Sequence, residues 1–409
     1  MKKIWNHNAT FWLRIIILIV GLLVNTSLLV NYGNESSDFV SDYFPAYSLR
    51  NGGAIYGEDI ANLEKKMLGA SKIQNFHPPF NALLFLPFSF LPYNKAFVVL
   101  GVMSLILLLL INQLVVRGLE LNNEWFLNYA CFTLCWYPVL CCLILGQSSM
   151  IIAACLIGGW FNLRLKKEYI AGFLFAIATL MKLFPGLVLL YLLILKQWRA
   201  LIAMVSFIVI GLSLTAFIVG LDDMRTYAVI MVFRDIDDYR GYVLNHSIGG
   251  IVTRLFGKPM GWFEPLVELP YIASLLIILL SIGILIYTTL KLREMAAKKE
   301  RADDAFALTL VTMLLLSPIT WSHIFPVLIL PMGLLLREYI DEPSPKTLRL
   351  FLFILFLVSL PDVIIARSLM SIYYPFKMPL YGRILTLGPS VGIVFLWIVL
   401  KRRSKICKC

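Results

Sequence analysis

Five short polar interruptions in an otherwise apolar chain hold the residues able to do chemistry. The first, Ser37-Asp38-Phe39-Val40-Ser41-Asp42-Tyr43, sets two carboxylates four residues apart among aromatics, just after a long apolar run. A carboxylate at such an edge has its pKa raised by desolvation and can serve as a general base. The same Ser37-Asp38 pair also suits the cap of an amphipathic interfacial helix, so both readings stand at this point. Lys182, in Thr179-Leu180-Met181-Lys182-Leu183-Phe184-Pro185-Gly186, is a lone cation inside apolar sequence. A charge at a membrane-helix centre costs about 2.5–3.5 kcal/mol, so Lys182 either faces a cavity and binds an anion or snorkels to the surface. In Ser317-Pro318-Ile319-Thr320-Trp321-Ser322-His323, an indole face and an imidazole are placed to hold a sugar hydroxyl or a phosphate, or simply to form a Pro-kinked interfacial turn. Asn245-His246-Ser247 with Arg254 can hold a pyrophosphate-like or sugar group, while the nearby Asp235, Asp237 and Asp238 fit a solvated, self-paired loop. Gly146-Gln147 reads as a tight turn that caps the next helix.

The elements that position these residues follow from composition. Of 409 residues 60% are hydrophobic and 15% charged, against roughly 45–50% and about 25% in soluble domains, which excludes a water-soluble enzyme. The 27 Phe, 18 Tyr and 9 Trp exclude a disordered or fibrous chain. No Walker loop, dinucleotide fingerprint, zinc-helix motif or nucleophile elbow occurs, so soluble nucleotide chemistry has no support. The cysteine spacings suggest neither a metal site nor a disulfide framework; Cys407 and Cys409 end a basic tail, as free thiols or a lipid site.

A bilayer core of about 30 Å needs about 20 apolar helical residues, which places spans at 11–30, 95–116, 125–145, 148–163, 169–181, 183–195, 200–220, 265–290, 305–316, 325–336, 348–365 and 381–400. The run 80–91 reaches only about 18 Å as a helix and is bounded by prolines, so it is not expected to cross. The chain is thus expected to be an all-α polytopic membrane protein of about 12 transmembrane helices, with both termini cytoplasmic. On that layout the cytoplasmic loops carry 21 of the 36 Lys/Arg but 10 of the 24 Asp/Glu, and the net charge of +12 reports orientation rather than nucleic-acid binding. His77, His246, His323, Asp38, Asp42 and Lys182 all fall on the outer side. So do the two long outer loops, 31–79 and 221–264, while 401–409 forms a basic cytoplasmic tail.

Taken in order, these segments resemble glycosyltransferase family 87, the polyprenol-phosphate-mannose-dependent mannosyltransferases of the C-type superfamily. The likeness is carried by Asp38-Phe39 with Tyr43 and Ala46; Gly52, Gly53 and Tyr56; Phe76-His77-Pro78-Pro79-Phe80 running to Pro87 and Leu91-Pro92; Gly146-Gln147; Ala171-Gly172 followed by Lys182 and Pro185; Trp198-Arg199; Asn245-His246-Ser247 with Arg254; and Ser317-Pro318 with Trp321 and His323. It extends over about residues 11–340. Two departures, His77 where the family often has Tyr and His323-Ile324 where it often has a His pair, bear on the sugar or acceptor.

The resemblance implies one GT-C-type integral membrane domain over 1–409. It implies transfer of a hexose, mannose in the family, from a polyprenyl-phosphate donor to a lipid or glycan acceptor on the non-cytoplasmic face of the cell membrane. Asp38 would be the general base, with Lys182, His323 and Arg254 at the donor phosphate. Asp42, Tyr43, His77, Gln147, Asn245, His246 and Trp321 would bind substrate. No metal, cofactor or nucleic acid is expected. The competing reading is a transporter or lipid flippase with a midplane site at Lys182, which would scatter polar residues toward both faces and show an internal repeat. A third is a surface-polysaccharide polymerase or ligase working from the long central loop.

Overall fold

A computed structural model describes residues 2–32, 38–69, 77–122, 124–233, 240–259, 264–297, 301–373 and 379–402. Of these, 82% are helical and none is in a strand, which makes the chain an all-α polytopic membrane protein. The expected spans all coincide with helical segments, although the one over 265–290 becomes helical only at Pro270 and continues to Ala296. Among the described residues six helices are long and apolar enough to cross a bilayer, or eight when two bent pairs are each taken as one span. The apolar helices Ser149–Arg164, Glu168–Met181 and Phe184–Ile194 are shorter.

Helix α1 (Lys2–Tyr32) enters first. The segment after it then folds back as α2 (Val40–Arg50), α3 (Glu58–Leu68), α4 (Pro79–Leu84) and a 3-10 turn, Leu86–Phe90. The long α5 (Tyr93–Gly118) is followed by α6 (Glu124–Leu134), α7 (Tyr137–Ile144), α8 (Ser149–Arg164), α9 (Glu168–Met181) and, after a 3-10 turn over Phe184–Leu187, α10 (Val188–Ile194) and α11 (Trp198–Val219). Proline sets many of these starts. Pro79, Pro138, Pro185, Pro270 and Pro345 each occupy a first-turn position, where the missing N–H costs nothing and the fixed φ favours the helix.

Helix Ala302–Leu316 forms the centre of the bundle. Every residue from Ala305 to Leu315 is buried, the pattern of a helix apolar on all sides and surrounded by others. It leads directly into the 317–323 break, where Ser317, Thr320, Ser322 and His323 are buried while Pro318 is exposed. The outward faces of α11 and Pro270–Ala296 instead expose Phe217 (87%) and Tyr271 (91%), as lipid-facing helices do. Close backbone approach packs α9 on α11, since a Cβ on Gly172 would lie 2.5 Å from the Ala200 carbonyl oxygen.

The two bent pairs interlock at their breaks. α6 and α7 meet at 57°, and Pro345–Val358 meets the helix starting at Asp362 at 49°. Trp136 Nε1, in the first break, donates to Ser359 Oγ in the second at 2.8 Å, and the Val363 amide donates to the Tyr137 hydroxyl at 3.2 Å. Non-helical backbone inside a bundle is tolerated when protein groups satisfy it, and here each break supplies partners for the other.

The charge-based sidedness groups loops that do meet. Arg164, Glu120 and Asp303, from three loops assigned to the same side, form one ion-pair cluster at one end of the bundle. Asp38, Gln147 and Lys182, all assigned to the opposite side, also meet one another. One expectation fails: α2 is not a lipid-lying amphipathic helix. Val40 to Ala46 and Ser48 are all buried, because α2 packs on α4 and on the Leu86–Phe90 turn, where Tyr43 donates to the Leu91 carbonyl at 2.7 Å.

Candidate active site

Asp38 sits in the turn that enters α2. The helix has Phe39 at its N-cap and no side-chain cap bond, so the capping reading of Asp38 is overturned. Its Oδ2 instead accepts a hydrogen bond from Gln147 Nε2 at 2.7 Å. Burial pushes the Asp38 carboxyl above its ordinary range; Gln147, His77 and Lys182 pull the other way without cancelling that effect.

Gln147 is placed by Gly146. With φ of +62°, Gly146 adopts a conformation that side chains rarely take, and a Cβ there would lie 2.7 Å from the Phe97 ring and 2.8 Å from Phe39 Cβ. Only glycine lets this turn press against the residue next to Asp38. The other end of the Gln147 amide, Oε1, accepts from Lys182 Nζ at 3.5 Å. Lys182 terminates α9 in an extended conformation, φ −148° and ψ 141°, so its side chain leaves the helix path at this point. Pro185 three residues on, opening the next 3-10 turn, keeps the two helical pieces from merging.

Asp42 lies one helical turn after Asp38 and has different partners. Its Oδ1 accepts from Asn81 Nδ2 at 2.9 Å and from His77 Nδ1 at 2.7 Å, and Tyr56 donates to the His77 carbonyl at 2.6 Å. Asp42 Oδ2 is buried with no hydrogen-bond partner. His323, in the 3-10 segment Ser322–Leu328, lies within electrostatic reach of Lys182 and His77, and its Nδ1 is likewise buried and unpartnered. The Trp321 ring meets His323 edge to face at 5.7 Å and Tyr242 at 5.9 Å, while its buried Nε1 makes no hydrogen bond. Orphaned polar atoms are rare in a folded interior. Here three of them, on Asp42, Trp321 and His323, occur within one group of site residues.

The structure therefore brings together Asp38, Asp42, His77, Gln147, Lys182, Trp321 and His323. It separates the remaining candidates. Arg254 commits all five N–H donors to the protein: Nε to the Gly250 carbonyl, Nη1 to those of Val243 and Thr386, and Nη2 to the Asn245 carbonyl and Ser390 Oγ. No donor is left for a phosphate, so the expected phosphate contact is corrected to a structural brace. Asn245 is similarly filled, its Oδ1 accepting from the Ser247 and Thr320 amides and its Nδ2 donating to the Arg240 and Pro318 carbonyls. His246 contacts Ser390 Oγ at 3.0 Å and Asp362 Oδ2 at 2.6 Å, fully buried. Tyr43 is buried, with its hydroxyl on Leu91. Asp235, Asp237 and Asp238 lie outside the described residues.

Two residues that matter were missed. Asp362 accepts from Ser322 Oγ at 2.9 Å and pairs with His246, while the His246 amide donates to the Thr320 carbonyl at 2.7 Å. Together these bonds fix the 317–323 break that carries Trp321 and His323. An acid at the end of the apolar run 348–365 was the available signal, but Asp362 counts there as one more outer-loop charge. Asn81 carries no local signal at all.

A helical membrane bundle with an acid, an amide and a cation in contact at one end, beside unsatisfied imidazole and indole nitrogens, has the make-up of a membrane-embedded transferase. Residues 75–318 match the model of glycosyltransferase family 87, and with more than half of its length matched the chain belongs to that family. It is a membrane glycosyltransferase, with a sugar donor and an acceptor as substrates, which sets aside the transporter reading. No curated protein matches the chain. The matched span holds His77, Gln147 and Lys182 but begins after Asp38 and Asp42 and ends before Trp321 and His323.

Proposed function

We propose that the protein moves a hexose, mannose by resemblance to its family, from a polyprenyl-phosphate carrier to a lipid or glycan acceptor, with Asp38 as the general base. The observation that carries this reading is the chain of contacts Asp38–Gln147–Lys182, which joins the acid to two residues inside the family-matched span. Asp38 takes the proton from the acceptor hydroxyl, and the acceptor oxygen bonds to the anomeric carbon. The bond from that carbon to the phosphate oxygen breaks, and its electron pair leaves with the polyprenyl phosphate. Lys182 and His323 stabilise the negative charge that develops there, the form of catalysis that usually contributes most.

A lipid-linked donor presents its leaving group at headgroup level, so a base at the membrane edge and a nearby cation are what the reaction requires. The proposed layout has twelve crossings, both termini cytoplasmic, and the Asp38 end on the non-cytoplasmic side of the cell membrane. The test is incubation of membranes containing the protein with defined polyprenyl-phosphate sugars, followed by mass spectrometry. The expected result is a product one hexose heavier, together with free polyprenyl phosphate. Transfer from a nucleotide sugar, with none from the lipid-linked donors, would overturn the reading.

A further inference from the structure

We propose that Gln147 is a neutral spacer that keeps the Asp38 carboxylate and the Lys182 ammonium from closing on each other as an ion pair, leaving each free for its own half of the reaction. The inference rests on the proposed role of Asp38 as base.

A side-chain amide is a neutral group that can satisfy both neighbours at once. A carboxylate only accepts and an ammonium only donates, so the NH₂ end of Gln147 must face Asp38 and its oxygen must face Lys182. The observed contacts have that polarity, at 2.7 Å and 3.5 Å. The spacer is also held in place from behind. Its backbone N–H donates to the Cys142 carbonyl at 3.0 Å, and the Gly146 turn seats it against Phe39 and Phe97. Gln147 is 5% exposed, a buried polar side chain whose partners are the two charged groups of the site.

Without the spacer, two opposite charges in a partly desolvated site would meet directly. Contact with a cation holds a carboxylate in its ionised form and so weakens it as a base, and the same contact occupies the ammonium that the donor phosphate needs. The groups facing Asp38 are Asp42 from α2, His77 ahead of α4, Lys182 from the end of α9 and Tyr242 from the segment before Asn245. Lys182 is the one cation among them whose reach Gln147 blocks.

The test is the pH dependence of kcat/KM for sugar transfer by the full-length protein in membranes, for Gln147→Ala and Gln147→Glu. In Gln147→Ala the gap lets Lys182 reach Asp38, so the acid limb is expected about one unit lower, with a raised donor KM. In the isosteric Gln147→Glu a second carboxylate faces Asp38, and the limb is expected about one unit higher. Should the alanine variant fail to accumulate, Gln147→Ser opens the same gap and reads the same shift. Loss of rate in both variants with an unmoved acid limb would overturn the proposal and leave Gln147 as a turn-forming residue. Asp38→Asn separates the two layers: if it is inactive while the limbs stay put, only the spacer fails, whereas an active Asp38→Asn removes the base beneath it.

Discussion

His77 Nδ1 and Asp42 Oδ1 lie 2.7 Å apart although 35 residues separate them in the chain. A carboxylate can only accept, so Nδ1 of His77 carries the hydrogen and the ring is held in one tautomer and one orientation. Asn81 adds a second bond to the same oxygen. The two acids at the start of α2 thus divide their work, Asp42 orienting His77 and Asp38 engaging Gln147. Asp42→Asn is expected to lower transfer by about 10–100-fold, the equivalent of one hydrogen bond to a charged group, without abolishing it. Kinetics on that variant check this, and complete loss would make Asp42 rather than Asp38 the base.

Lys182→Met is expected to act on the donor. Removing a cation at a developing phosphate charge costs about 10²–10³ in rate, and the donor KM should rise while the acceptor KM stays put. His323→Ala should move the same parameter less. Donor kinetics unchanged in both variants would return Lys182 to a snorkelling side chain and His323 to packing.

The raised pKa of Asp38 has two consequences with definite signs. A base works deprotonated, so kcat/KM should climb with pH along a limb above the ordinary aspartate value of 3.8. For stability, a carboxyl whose folded-state pKa exceeds its unfolded value contributes below the unfolded pKa and loses that contribution as pH rises through the folded one. At neutral pH the ionised Asp38 is therefore a mild burden on the fold. Asp38→Asn should melt in detergent at or above the wild-type temperature at pH 7, and a marked drop would show that the carboxylate supports the fold instead.

Asp362→Ala should destabilise. It strips His246 and Ser322 of their shared acceptor in a fully buried setting, and each buried donor left unsatisfied costs about 1–3 kcal/mol. Thermal unfolding of the purified protein checks it, and a wild-type midpoint would mean that water or a neighbour replaces the carboxylate.

Helix positions were legible because apolar run length and proline placement act locally. Lys182 was legible as well, since a lone cation in apolar sequence needs a partner wherever the chain folds. What no local pattern could decide was the partner. On composition Asp38 fits a helix cap readily, until Gln147, 109 residues away, arrives beside it. The same ambiguity misled in the other direction at Arg254, Asn245 and His246, residue types that suit a phosphate as well as a set of backbone carbonyls. Their neighbours Thr386, Ser390 and Asp362 come from the last helices, and only tertiary structure brings them there. The burial of α2 was hidden for a related reason: Ser41, Asp42 and Ser48 look solvent-facing until Asn81, His77 and the Ala54 carbonyl take up their polar groups or the helix packs over them.

In the proposed reaction Asp38 removes the acceptor proton. The most direct measurement is sugar transfer from a polyprenyl-phosphate donor by membranes carrying Asp38→Asn at wild-type abundance. Loss of the general base should lower turnover by about 10²–10⁴-fold with the protein still inserted and folded. Turnover close to wild type at equal abundance would show that Asp38 is not the base.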